Sequence, residues 1–194
     1  MENINWNDKE EVLELVQQDG TALEYASKEL RNDRNIVTAA VCQNGCALKY
    51  ASKELRNDRN IVMAAVREDG WALEYASKEL CNDKNIVLFA VYGAGTALEY
   101  ASKELQNDSN IVTAAVRQDG LALEFASKEL QDNKEIVLVA LQNTQYAFSY
   151  ASPRLKQDQE VRKAAVLEPD IKQEPEKPDI DTVLGDAKKM VPGT

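Results

Sequence analysis

The side chains that could do covalent chemistry recur in fixed groupings. A Ser-Lys-Glu triplet stands at Ser52, Lys53 and Glu54 and returns along the chain, and these are the residue types of a serine activated by lysine. Cys42 and Cys46 flank Gly45, and acids pair at Glu68 and Asp69. Histidine is absent, which excludes Ser-His-Asp and Cys-His pairs and mixed Cys/His zinc sites. The triplet is copied along one edge, as capping and solubilising groups would be. Cys42 and Cys46 lack C-x-x-C spacing and read as small, partly buried residues. The paired acids suit a solvated helix end. The sequence therefore predicts no catalytic residue, no metal site, no cofactor and no small-molecule substrate.

What would position any working side chain is a repeat. Gly20, Gly45, Gly70, Gly95 and Gly120 are 25 residues apart, with Gln145 in the sixth place. Residues 33–57 laid over 58–82 differ only at Thr38/Met63, Cys42/Arg67, Gln43/Glu68, Asn44/Asp69, Cys46/Trp71, Lys49/Glu74 and Arg56/Cys81. Each unit opens on a residue type that caps a helix, namely Asp8, Asp33, Asp58, Asp83, Asp108 and Asp158, with Asn133 or Asp132 in the irregular unit. Ile61, Val62, Ala65 and Val66 then form an amphipathic stripe, and Gly70 is predicted to end the helix in the left-handed conformation. These A helices are expected at 9–18, 34–43, 59–68, 84–93, 109–118, 134–143 and 159–167. Ala72, Leu73, Ala76 and Leu80 continue the helical spacing, which predicts B helices between them, thirteen helices in all. Because Pro153 follows Ser152, a break is placed near each serine of the triplet position, where a new turn can begin and run to the leucine.

Helices of about ten residues are unstable alone, so each pair must bury its apolar face on its neighbours. The predicted fold is all-α, an α-solenoid of 25-residue two-helix repeats, about six and a half of them, over residues 1–167. Glu11 and Glu14 in the first A helix, and Arg162 and Lys163 in the last, replace residues that are apolar or small in most inner units, as expected of solenoid ends. The Ile36-type position accordingly faces the preceding repeat and the Val37-type position the next. Residues 168–181, with Pro169, Pro175 and Pro178 among acids, read as a linker. Residues 182–194 read as a flexible tail or a short docking helix bearing Val183, Leu184, Ala187, Met190 and Val191.

Positions that vary while their neighbours repeat are not fixed by the fold, and they mark the expected binding face. One lies just after the glycine (Thr21, Cys46, Trp71, Thr96, Leu121, Tyr146) and one near the end of helix A (Cys42, Arg67, Tyr92, Arg117, Gln142, Leu167). Trp, Tyr and Arg dominate interface hot spots, so Arg67, Trp71, Tyr92, Arg117, Leu121 and Tyr146 are the predicted protein-binding residues. Local packing at turns is the competing explanation. Arg31, Arg34, Arg56 and Arg59 gather on a loop edge and could meet an acidic partner, or form a solvated edge with Asp33 and Asp58.

The unit that begins at Asp, runs Ile-Val-x-Ala-Ala-Val, passes a glycine and ends Ala-Leu-x-Tyr-Ala-Ser resembles a short tandem-repeat family catalogued as a domain of unknown function. That family is common in effector-like proteins of intracellular bacteria. The resemblance covers residues 8 to about 167 and implies a helical array with no assigned catalytic residues. The acidic segment from Glu168 to Asp181 also looks like a type IV secretion tail, which would deliver the protein into a host cytosol.

With 33 acidic and 23 basic residues the net charge is −10, which disfavours nucleic acid and anionic lipid. Neither a signal-peptide pattern nor a membrane-spanning apolar run is found, and the odd set Cys42, Cys46 and Cys81 reads as reduced thiols, so a cytoplasmic protein is expected. The function that fits is a protein-protein interaction scaffold or adaptor with a protein partner. An RNA-reading helical array and an unrecognised enzyme are the alternatives.

Overall fold

The computed structural model describes residues 4–166. Seven A helices occupy the predicted places: α1 (Lys9–Gln18), α2 (Arg34–Gln43), α3 (Arg59–Glu68), α4 (Lys84–Gly93), α5 (Ser109–Gln118), α7 (Lys134–Asn143) and α8 (Gln159–Val166). Each begins where a short side chain captures two free amides. In α3, Asp58 Oδ1 accepts from Asn60 N at 3.1 Å and Ile61 N at 3.2 Å. Asn133 does the same for α7, and Asp158 for α8. Residue 167, the predicted end of the last helix, and the segments 168–181 and 182–194 lie outside the described residues.

The glycines do not end the A helices in a left-handed turn. The stop is the residue before them: Asp69 is extended, with φ −146° and ψ 115°, and its N–H still donates to Ala65 O at 2.9 Å. Asp69 Oδ1 then accepts from Trp71 N at 2.9 Å, so one residue closes one helix and caps the next segment. Glycine is required for a different reason. A Cβ on Gly70 would stand 2.3 Å from the carbonyl oxygen of Ala90 in the following repeat, and one on Gly20 2.3 Å from Ala40 O. The chain passes against the neighbouring A helix too closely for any side chain.

The predicted B helices are not α-helices either. Between consecutive A helices the chain makes a 3₁₀ segment, at Gly20–Glu24, Gly45–Tyr50, Gly70–Tyr75, Gly95–Tyr100, Gly120–Phe125 and Gln145–Tyr150. Four of the six, beginning at Gly45, Gly70, Gly120 and Gln145, are pinned by a side-chain cap at one end and an extended alanine at the other, and so short a pinned segment suits the tighter winding. After it the chain breaks at the predicted serines. Ser52 Oγ accepts from Leu55 N at 3.2 Å and its hydroxyl donates to Asn32 Oδ1 in the preceding unit. The turn then extends past the leucine as a second 3₁₀ piece, Leu55–Asn57, and at the irregular unit as the short helix α6 (Lys128–Gln131). Among the described residues there are no strands, and the architecture is an α-solenoid of 25-residue repeats.

Three ladders stitch the repeats together. Ser52 N, Ser77 N, Ser102 N, Ser127 N and Ser152 N each donate to a backbone carbonyl of the previous unit at 2.9 Å, and Trp6 O serves Ser27 N in the same way at 3.0 Å. The serine hydroxyls form the second ladder, onto Asn32, Asn57, Asn82, Asn107 and Asp132. The third is ionic: Lys9 pairs with Asp33 at 2.6 Å, Arg34 with Asp58, Arg59 with Asp83 at 3.0 Å, Lys84 with Asp108 at 2.6 Å and Lys134 with Asp158 at 3.0 Å. Between α5 and α7 the two corresponding residues are Ser109 and Asn133, so cation and anion are lost together.

The core runs unbroken along the stack, with Ala40, Ala65, Ala90, Ala115 and Ala140 fully buried where helices approach. Its ends fit the predicted facing of the two apolar positions. In α1, Val12 is fully buried beside the half-buried Glu11; in α8, Val161 is fully buried beside the exposed Arg162.

Candidate protein-binding face

The Ser-Lys-Glu triplets are structural. Ser52, Ser77, Ser102 and Ser127 each commit the hydroxyl to a cap and to the preceding unit, Ser27 caps only, and Lys53 and Glu54 point to solvent. Among the thiols, Cys42 is exposed rather than partly buried. Cys46 and Cys81 are half-buried, and all three are free. Burial, aided by a thiol hydrogen bond to Asp69 Oδ2 at 3.1 Å, pushes the Cys46 thiol up to about 11. Among the described residues no group of three or more Cys, Asp or Glu side chains is placed to hold a metal ion. The arginine edge divides: Arg34 and Arg59 belong to the ionic ladder, while Arg31 and Arg56 bury Nε without a hydrogen-bond partner.

The six predicted binding residues fall into two sets. Trp71, Leu121 and Tyr146 are the second residues of their 3₁₀ segments, two places after the helix stop, and are 43%, 36% and 70% exposed. Arg67, Tyr92 and Arg117 lie on the last turns of α3, α4 and α5. Both arginines are exposed and Tyr92 is half-buried against the core. Arg67 is also engaged across a junction, its guanidinium 5.2 Å from the centroid of the Phe89 ring. The two sets meet along the edge where A helices end and 3₁₀ segments begin.

The far ends of the same 3₁₀ segments carry a feature that variation along the sequence does not single out. Tyr25, Tyr50, Tyr75, Tyr100, Phe125 and Tyr150 form a row of rings, one per repeat, at or near the ends of the 3₁₀ segments. Exposed carboxylates stand beside them at Glu24, Glu74, Glu99 and Glu124. Burial and the Glu74 carboxylate both push the Tyr75 hydroxyl up, and burial with Glu74 and Glu99 does so for Tyr100. Lys49, which takes the place of a glutamate in its repeat, lies over the Tyr50 ring at 4.5 Å. Because these residues recur, they read in the sequence as framework; the signal available was the pairing of an aromatic ring with an acid in four of the six repeats, broken by Lys49 and Ser149.

A family profile described as a domain of unknown function, DUF4116, matches residues 8–56, 58–106, 92–131, 108–156 and 133–168. The chain belongs to the DUF4116 family. Four of the five matches begin at a cap of an A helix, Asp8, Asp58, Asp108 or Asn133, so the family unit shares its boundaries with the structural repeat. No curated protein matches the chain, and no solved structure does. Among the described residues no helix is long and apolar enough to cross a membrane.

Proposed function

We propose that this DUF4116 array is a non-catalytic scaffold that holds a protein partner along the edge carrying Trp71, Leu121 and Tyr146. The observation that carries this reading is exposure at positions the fold leaves free. Sibling repeats place Thr or Cys there, yet three units present a large apolar side chain to solvent. Large exposed apolar groups at variable sites of a repeat array are what a partner surface requires. The acidic balance of the chain opposes an RNA-reading role. As an adaptor it would act in a cytosol, and the resemblance to repeats of effector-like bacterial proteins supports a host cytosol as one such place. The test is affinity capture with the full chain as bait, from bacterial and host lysates in parallel, against bait carrying Trp71→Ala and Tyr146→Ala. Partners retained by wild type and lost by the variant bear out the reading; an identical set of captured proteins refutes it.

A further inference from the structure

The row of rings and carboxylates on the 3₁₀ segments already holds one cation. The Lys49 ammonium sits over the Tyr50 ring at 4.5 Å, and the Tyr50 hydroxyl, with lesser contributions from Tyr75 and Glu24, stabilises its charged form. A lysine of the chain thus occupies an aromatic and carboxylate niche of the kind that the next three repeats present, their carboxylates free of ion pairs among the described residues. At the corresponding positions these repeats carry Glu74, Glu99 and Glu124, all exposed, beside Tyr75, Tyr100 and Phe125. Trp71 and Tyr146, exposed on the same segments, add ring faces. A ring face attracts a cation by its quadrupole and a nearby carboxylate adds charge, so the combination selects ammonium and guanidinium groups over neutral or acidic ones.

We propose that the face from Trp71 to Tyr150 seats an extended lysine- and arginine-rich segment of a protein partner, lying along the stack with one cation per repeat. The proposal rests on the scaffold reading and names the partner's chemistry. Packed helices lie about 8–10 Å apart and an extended chain advances about 3.3 Å per residue, so successive niches match a basic residue at every third position. The net charge of −10 draws such a segment in and makes its binding sensitive to salt.

The test is fluorescence anisotropy on the full chain with two labelled peptides of identical composition. One has lysine at every third position, and the other has the same lysines in one block. The spaced peptide is expected to bind about tenfold more tightly than the block isomer and to weaken as salt rises. Glu74→Gln with Glu99→Gln and Glu124→Gln should lower its affinity by about tenfold or more, with circular dichroism unchanged. Lys49→Glu, which vacates the occupied niche and adds a carboxylate, should raise it severalfold. Equal binding of the two peptides, indifference to the three Gln substitutions, or no binding of the spaced peptide would overturn the proposal. If lysate partners are still lost on Trp71→Ala with Tyr146→Ala while the spaced peptide fails to bind, the scaffold reading survives and the basic partner does not.

Discussion

Arg154 donates from Nε to both carboxylate oxygens of Asp132, at 3.0 and 3.1 Å, and from a terminal nitrogen to the Asp132 carbonyl at 2.8 Å. At the two preceding junctions the same two places hold Asn82 with Glu104 and Asn107 with Glu129, the amide donating to the carboxylate at 3.3 Å. Acid and donor have changed sides together. Arg154→Glu should therefore set two carboxylates against each other and lower the melting midpoint, and adding Asp132→Asn should restore the Asn–Glu pairing and recover much of the loss. Thermal melts of the four proteins measure the coupling; strictly additive shifts would show that the two residues do not act as a pair.

The A helices were legible because two independent signals coincide, a capping Asp or Asn and an apolar stripe that reads Ile-Val-x-Ala-Ala-Val in α2, α3 and α5. The B segments were not, because Ala72, Leu73 and Ala76 satisfy an α and a 3₁₀ winding alike. What decides between them is tertiary: the close pass of Gly70 against Ala90 O and the bond from Ser77 N to Arg56 O. A glycine in a sequence announces a backbone constraint without saying whether it is a dihedral angle or a neighbour. At the candidate site, variability pointed to Trp71 and Tyr146, while constancy hid the tyrosine row.

The glycines separate by what lies beside them. Gly70→Ala drives a methyl into the Ala90 carbonyl at 2.3 Å and should cost about 2 kcal/mol or more. Gly93, at the end of α4, has its nearest neighbour at 3.4 Å, so Gly93→Ala should stabilise by about 0.5–1 kcal/mol through helix propensity and a less flexible unfolded chain. Urea unfolding of both variants decides it, and equal losses would mean that close approach is not why Gly70 is needed.

Acid should weaken the array through its helix caps. The Lys9 ammonium, joined by the Ile36 and Asn35 amides, holds Asp33 below the usual carboxylate value against the opposing effect of burial. Burial is the largest influence on Asp58 and Asp108 and raises them, but their Arg34 or Lys84 partner and two amides together bring them below it. A carboxylate with a depressed folded pKa binds fewer protons folded than unfolded. Its contribution is complete above the unfolded value of about 3.9 and disappears as pH falls through the lower folded value. The melting midpoint should thus drop as pH falls below about 4, and Asp33→Asn should flatten that drop. An unchanged pH profile in the variant would remove the cap from the account.

Cys46 should be a poor nucleophile at neutral pH. With its thiol pushed up to about 11 by burial and by Asp69, roughly one molecule in a thousand carries the thiolate at pH 8. Peptide mapping after iodoacetamide treatment should show Cys46 reacting far more slowly than free glutathione at pH 8, and about tenfold faster for each unit of pH on the way to 11. Asp69→Asn should speed it at pH 8. Labelling of Cys46 at the rate of glutathione would contradict the burial and the hydrogen bond alike.

Trp71 and Tyr92 differ in what their removal should do, although both are aromatic residues at variable positions. Trp71 is 43% exposed at the start of a 3₁₀ segment, while Tyr92 is half-buried and packs on the core from the last turn of α4. If Trp71 and Tyr146 are partner contacts, truncating each should lower affinity for a captured partner by about tenfold or more, because hot-spot residues contribute about 2 kcal/mol or more. Neither truncation opens a cavity in the core, so the melting midpoint should stay nearly fixed. Tyr92→Ala removes a half-buried ring that packs on the core and should melt measurably earlier. Calorimetry and partner titration on the three single variants separate packing from binding. A Trp71→Ala protein that melts as early as Tyr92→Ala, or that binds its partner undiminished, would show that the ring serves the fold and that the partner surface lies elsewhere on the array.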